Sequence, residues 1–350
     1  MTSRNRFRAT ILGLACGDAL GAPTEFKGLR SIFAKYGHEG IKDISQTSGR
    51  YTDDTQMAEA LALGLLDSFD FANEMSEGKP DAKLACYDTL TKIAEQVMPN
   101  VAKRFVEWSI APYNNRAPGG TCMGGCAALR SGADWTKSGR MNSKGCGSVM
   151  RSGPVGLVYL EPHLNEIARA SSIVTHGHQA ALDAAHLGAL AVRLLLEDEP
   201  PANLPELLLN HAKDENMRRL LMAVPAAIAA TLEGHARPEQ IQTHKDAGSL
   251  SLGESWVGDE ALASALYCFM LAHARGEGYV ETVRYGANTR GDSDSIAAIA
   301  GQFAGAFWGL SADNGKKGVP DTWITKVERG AELAELADRL YDMHQAIYDR

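Results

Sequence analysis

Apolar residues recur at helical spacing along most of this chain. After Asp54 the positions Met57, Leu61, Gly64 and Leu65 fall on one face, and Val101, Phe105, Val106 and Ile110 repeat the pattern. Leu182, Ala185, Leu190 and Leu194 lie on the apolar side of a helix expected over 179–196. Further helices are expected over 8–16, 82–97 (ended by Pro99), 216–232 (kinked at Pro225), 259–275, 293–308 and 326–347. In the 293–308 segment Gly301, Gly305 and Gly309 stand four apart, which allows a neighbouring backbone to approach closely. The stretch 17–26 reads as a tight buried loop aiming Asp18 or Glu25 inward; the plainer alternative is a surface turn with solvated acids. A polar loop is expected over 73–81. Residues 111–151, rich in Gly, Asn and Pro, read as a long irregular segment of the kind that tends to be functional. Neither β-alternation nor a fixed repeat is present. The fold expected is all-α, a single large orthogonal helical domain.

Composition narrows the function. A chain of 350 residues that is 45% apolar has ample core for one large domain or two average ones. The formal charge of −8 argues against a nucleic-acid partner held by its phosphate backbone, though a small nucleotide needs only local donors. No apolar stretch reads as membrane-spanning, and the run 11–16 after a polar, Arg-rich start ends too soon for a secretory signal. Six cysteines in this length do not make a disulfide framework, so a reducing cytoplasm is expected. Cys122 and Cys126 lack a second close pair to complete a zinc site and read as buried thiols. A monomer is the default, since no exposed heptad stripe stands out.

Two oxygen-rich clusters carry the chemistry. Thr52-Asp53-Asp54-Thr55 stands at the start of one helix and Asp292-Ser293-Asp294-Ser295 at the start of another. Either alone is more simply a helix cap, with Asp292 capping and Asp294 solvated. Together, with Glu25 as a fifth acid, they offer hard oxygen ligands for two Mg²⁺-type ions. An EF-hand is excluded because Ile296 and Ala297 stand where a further acid and a glycine are required. A phosphatase-type Asp-x-Asp would follow an apolar strand, whereas 285–291 is polar. The loop Gly145-Cys146-Gly147-Ser148 matches neither a dinucleotide fingerprint nor a P-loop. Its backbone N–H groups, with the Ser143 and Ser148 hydroxyls, suit a pyrophosphate, and a plain glycine turn fits it equally well. His176 reads as a ligand contact and His178 as capping or solvent-facing. No Ser-His-Asp or Cys-His arrangement argues for a covalent nucleophile.

Taken in order, 17–25, Thr52 to Thr55, Gly145 to Arg151, Thr175-His176 and Gly291 to Ala297 resemble the ADP-ribosylglycohydrolase family, whose members include dinitrogenase-reductase-activating glycohydrolases and ADP-ribosylarginine and ADP-ribosylserine hydrolases. The resemblance covers roughly 8–310, with 311–350 expected to add one packing helix to a single domain over 1–350. It implies a cleft with two Mg²⁺ or Mn²⁺ ions held by Thr52, Asp53, Asp54, Asp292, Asp294 and Ser295. It further implies catalytic roles for Glu25, Asp53 and Asp292, and ADP-ribose contacts from Gly119, Ser143, Gly145, Cys146, Gly147, Ser148 and His176. Ser295 replaces a common threonine and keeps the oxygen; Arg290 replaces a common glycine and puts a cation near the leaving-group pocket. The activity implied is removal of ADP-ribose from a modified protein, with arginine as the first-choice acceptor. The alternatives are serine-linked or other ADP-ribose derivatives, or an immunity or regulatory protein that docks a cognate ADP-ribosyltransferase.

Overall fold

A computed structural model describes residues 3–75, 93–242 and 248–348. Every regular element among them is helical, and three isolated bridges are the only strand-type pairings. The all-α expectation holds.

At the centre the helices Arg4–Gly21 and Ser293–Trp308 lie backbone to backbone. A Cβ on Gly13 would come 2.5 Å from Gly301 O, one on Gly17 2.2 Å from Ala297 O, and one on Gly305 2.0 Å from Ala9 O. No side chain fits between them, so these glycines serve packing. This is why the first helix runs to Gly21 and does not end near Cys16: residues read as turn formers are contact points in a continuing helix. It also leaves Asp18 inside the helix, and it brings the end of the first helix against the start of the other. Gly309 stands apart, as a C-cap with φ 71° beyond the last turn.

Around this pair pack Asp53–Met75, Gln179–Leu196, Gly258–Ala274 and Gly330–Tyr348, joined in one apolar core from Phe7 to Ile347. The Gln179–Leu196 helix is 18 residues long with mean hydropathy 1.3, enough to cross a membrane by length and composition, contrary to the sequence reading. Here 83% of it is buried inside the fold, so it is a core helix.

Other differences have local causes. Pro99 lies inside a helix, Ile93–Ile110, and does not end one. Val97, Met98, Val101 and Phe105 are buried on both sides of it, and that burial offsets a proline cost of about 3 kcal/mol. Most of the helix expected before Pro99, and part of the polar loop, fall outside the described residues. Within the segment expected to be irregular, Gly120–Arg130 is a regular helix. There Gly125 lets the Val174 carbonyl come within 2.4 Å of where a Cβ would stand, so glycine again marks close packing. Shorter helices such as Leu29–Tyr36, His163–Ile173 and Tyr279–Ala287 were not expected. The last helix begins at Gly330, with Asp321–Lys326 a separate turn of helix before it.

Candidate functional site

Asp18 organises one half of the site. Buried in the first helix, its carboxylate accepts hydrogen bonds from Thr52 N at 2.9 and 3.0 Å, from Thr55 N at 3.0 Å and from Thr55 Oγ1 at 2.6 Å. These are the free N–H groups at the start of the Asp53–Met75 helix, so a carboxylate from elsewhere in the chain caps it. Burial lifts the Asp18 carboxyl to about 6 despite these bonds. The cap fixes the orientation of Asp53 and Asp54. Asp53 Oδ2 also accepts from Gly119 N at 3.1 Å, and Asp54 Oδ2 from Thr52 Oγ1 at 3.3 Å.

The second half is fixed from three sides. Phe26 N donates to Gly291 O at 3.2 Å, Asp292 N to Glu254 O at 3.0 Å, and the hydroxyls of Thr24 and Ser293 lie 3.2 Å apart. Asp292 makes no side-chain capping bond and Asp294 is 3% exposed, which rules out the simple cap with a solvated neighbour. Glu25, Asp292 and Asp294 each present a carboxylate oxygen within 4.8 Å of the others. Burial and mutual repulsion raise the whole set: Glu25 to about 7 through burial, then Asp292 and Asp53; Asp53 to about 7 through burial; Asp54, Asp292 and Asp294 upward for the same first cause. Asp54 Oδ1 is buried with no hydrogen-bond partner. A clustered oxygen donor set with an orphaned buried carboxylate oxygen fits a hard divalent cation, which would relieve the repulsion.

Gly145, Cys146, Gly147 and His176 line the same cleft of about 350 Å³ as the acids. The loop is held by backbone bonds on its far side, Cys146 N to Trp256 O at 3.2 Å and Gly258 N to Lys144 O at 2.8 Å. A Cβ on Gly147 would lie 2.8 Å from both Cys122 Sγ and His176 Cε1, so the loop and the imidazole are packed without slack. Burial, then Arg151 and Arg140, lowers His176 to about 3, which keeps the ring neutral. Arg151 is fully buried and ties the loop down through Ser171 O and Thr175 Oγ1, both at 2.8 Å, with its guanidinium 4.6 Å over the Phe105 ring.

Of the residues expected here, Glu25, Asp53, Asp54, Gly119, Gly145, Cys146, Gly147, His176, Asp292, Asp294 and Ser295 line this one cleft. Ser143 and Ser148 do not, and Thr52 stands just behind it with Oγ1 3.3 Å from Asp54 Oδ2. The Ser148 hydroxyl is buried and donates to Ala181 O at 3.1 Å, so its expected role as a free donor is corrected: the 3-10 turn Cys146–Ser148 points it into the core. The Gly119 N–H already serves Asp53. Cys146 acts through its side chain too, with Sγ 3.0 Å from Asp292 Oδ2. His178 caps its helix by accepting from Ala180 N, and Arg290 is paired with Glu254 at 3.3 Å.

The rim was not legible beforehand. Phe26 and Trp256 stack face to face there, centroids 4.1 Å apart and planes within 3°. Phe26, Ala117 and Ser255, all at or beside this rim, adopt positive φ of 53°, 53° and 67°. Such strain in non-glycine residues clusters at functional sites. Elsewhere, Glu161, His186 and His211 form a second grouping that could hold a metal. There Arg169 faces His186 Nδ1 at 3.5 Å while Glu161 takes Nε2 at 2.6 Å, an arrangement suited to a hydrogen-bonded pair.

In an all-helical fold, carboxylates from two helix starts gather in one cleft with a glycine loop. A family model described as ADP-ribosylglycohydrolase matches residues 1–350, and the chain belongs to this family. An uncharacterized protein of Archaeoglobus fulgidus is 28% identical, covering 98% of each chain. ADP-ribosylhydrolase ARH3 of Bos taurus is 26% identical over 98% of this chain and 94% of its own. ADP-ribosylarginine hydrolase Tri1 of Pseudomonas putida is 26% identical over 97% and 78%. Among solved structures, one titled ADP-ribosylglycohydrolase-related protein complex superposes with a TM-score of 0.65 at 25% identity, covering 98% of this chain and all of the other.

Proposed function

We propose that the protein removes ADP-ribose from arginine side chains of modified proteins, with two divalent cations of the Mg²⁺ or Mn²⁺ class held by Thr52, Asp53, Asp54, Asp292, Asp294 and Ser295. The observation that carries this is the meeting of Glu25 and four buried aspartates in one cleft that the Gly145–Gly147 backbone and His176 also line. The acceptor is taken from the likeness to a relative named as an arginine hydrolase.

When bound, such ions supply Lewis acidity at the ribose hydroxyls and neutralise the acids around them. The chain's own residues do the rest. The Gly145 and Gly147 backbone lets the diphosphate approach without a side chain in the way, and neutral His176 orients it by hydrogen bonding. Hydrolysis breaks the bond between the anomeric carbon and the arginine nitrogen and adds the oxygen of water to that carbon. Glu25, at the mouth, carries the proton from that water to the departing guanidine. Asp53 and Asp292 place negative charge where the oxocarbenium-like state develops positive charge. We place this activity in a reducing cytoplasm, on the cysteine content of the sequence alone.

Release of ADP-ribose from arginine-modified and from serine-modified protein, each with Mn²⁺ and with EDTA, tests the proposal. Metal-dependent release from arginine is expected. Release from serine alone would transfer the activity to the other linkage, and release undiminished by EDTA would sink the metal reading.

A further inference from the structure

We propose that the outer face of the Glu215–Leu232 helix is a dimer interface, on which the same helix of a second copy of this chain lies antiparallel. From Leu220 to Leu232 the helix carries no charged residue. Its inner side, with Leu220, Leu221, Val224, Ala227, Ile228 and Thr231, is buried in the fold. The outer side of such a surface helix is ordinarily polar. Here Met222, Pro225, Ala226 and Ala229 stand exposed on it, Met222 to 60%, and Leu232 at its end is 49% exposed. Beside Pro225 and Ile228 an apolar pocket of about 200 Å³, lined also by Met270 and Ala274, widens the patch. An apolar area of this kind marks a surface that another surface covers. In the sequence the stripe is masked, because the inner side of the helix is apolar too.

The ends of the stripe identify the occupant. Arg219, Met222, Ala226, Ala229 and Glu233 follow one another at alternating spacings of three and four, the seam of a helix pair. Turned end for end about Ala226, this seam is complementary to itself. Arg219 of each copy then stands opposite Glu233 of the other. Met222 lies over Ala229 and Ala230, whose small side chains leave it room, and Ala226 meets its own counterpart at the centre. A parallel pair would instead set like charge against like. Both charges are exposed and within reach of a partner: Arg219 Nε donates to Asn216 Oδ1 at 3.0 Å, and Glu233 faces the exposed His235 at 3.3 Å. Arg218, by contrast, is turned back onto Leu209 O and Ala212 O at 2.8 and 3.0 Å. A patch that matches itself under a half-turn is what a twofold dimer requires. None of the residues lining the cleft belongs to this helix, so substitutions on its outer face leave the acids and the glycine loop intact.

Sedimentation equilibrium of the full-length protein tests this, from about 1 µM to about 100 µM, the range suited to an interface of modest area. Wild type should pass from monomer to dimer within it. Ala226→Glu should stay monomeric throughout while melting as the wild-type monomer does. Arg219→Glu and Glu233→Arg should each weaken the dimer by about tenfold or more, and the two together in one chain should restore it. A wild type that remains monomeric across the series, or a dimer that Ala226→Glu leaves intact, overturns the proposal. A dimer that Ala226→Glu breaks but the double exchange fails to restore overturns the antiparallel pairing.

Discussion

Asp18→Asn changes one oxygen to an NH₂ group and leaves the shape of the side chain intact. Its consequence is calculable because Asp18 receives Thr52 N, Thr55 N and Thr55 Oγ1 at 2.6 to 3.0 Å. Oδ2 faces all three donors, so the amide oxygen can take its place, but the bond from Thr52 N to Oδ1 is lost and the new NH₂ faces that N–H. The lost bond to a charged acceptor costs about 1.5–3 kcal/mol, and the three that remain now go to a neutral acceptor and weaken by about 1 kcal/mol each. Relief from burying the charge offsets part of this and leaves a net loss of about 3 kcal/mol. An unfolding entropy of about 2.1 cal/mol/K per residue, over 350 residues, converts that loss to a fall in Tm of about 4 °C. A second effect is local. With the cap weakened, Thr52, Asp53 and Asp54 lose their orientation, and supporting residues of this kind typically cost about 10–100-fold in metal affinity. Thermal melting in EDTA reads the first effect and titration with Mn²⁺ the second. An asparagine variant that melts with wild type and binds Mn²⁺ equally would refute the view that Asp18 builds the site.

Three further outcomes follow from the same geometry. Removing divalent ions with EDTA should lower Tm by about 7 °C relative to Mn²⁺ at about 100 times its Kd, because each of the two ions then contributes about 2.7 kcal/mol; equal melting curves would argue against cations among the acids. Gly147→Ala forces a methyl to within 2.8 Å of Cys122 Sγ and His176 Cε1. Its affinity for ADP-ribose should fall by about tenfold or more while Mn²⁺ binding persists, and calorimetry with unchanged affinity would free the loop from its assigned role. Arg151→Met refills the volume but strands Ser171 O, while Thr175 Oγ1 keeps His176 Nδ1 and Ser172 O; a loss of about 1–3 kcal/mol is expected, and a variant as stable as wild type would refute it.

What could be read from the sequence followed from how local each signal is. Thr52-Asp53-Asp54 and Asp292 to Ser295 were visible because their oxygens are neighbours in sequence, and because two such sets in one chain are more than ordinary helix caps require. Asp18 was read as one of two acids that a loop could aim inward, but its capping role was not visible, since its partners lie at Thr52 and Thr55 and nothing near Asp18 announces them. Gly17 and Gly21 were taken for a turn, because a glycine that admits a neighbouring backbone looks the same in sequence as one that bends the chain. The Gly120–Arg130 helix was missed for that reason too. Ser148 was misplaced through the pitch of one short turn, which decides whether a hydroxyl faces cleft or core. The stacking of Phe26 on Trp256 joins two loops far apart in the chain, and no local pattern carries it.

The pairing of the first helix with the Ser293–Trp308 helix has a consequence for synthesis. Thr24 and Ser293, whose hydroxyls meet beside the acids, are 269 positions apart. Residues Phe7 to Gly21, nearly all buried in the finished protein, leave the ribosome with their eventual partner still untranslated. The nascent chain therefore carries an unpartnered apolar helix through most of its elongation, a stage at which such surfaces invite aggregation and chaperone binding. The cluster of acids cannot assemble until Asp292 to Ser295 have been translated. Truncated products, however soluble, would lack one wall of the cleft.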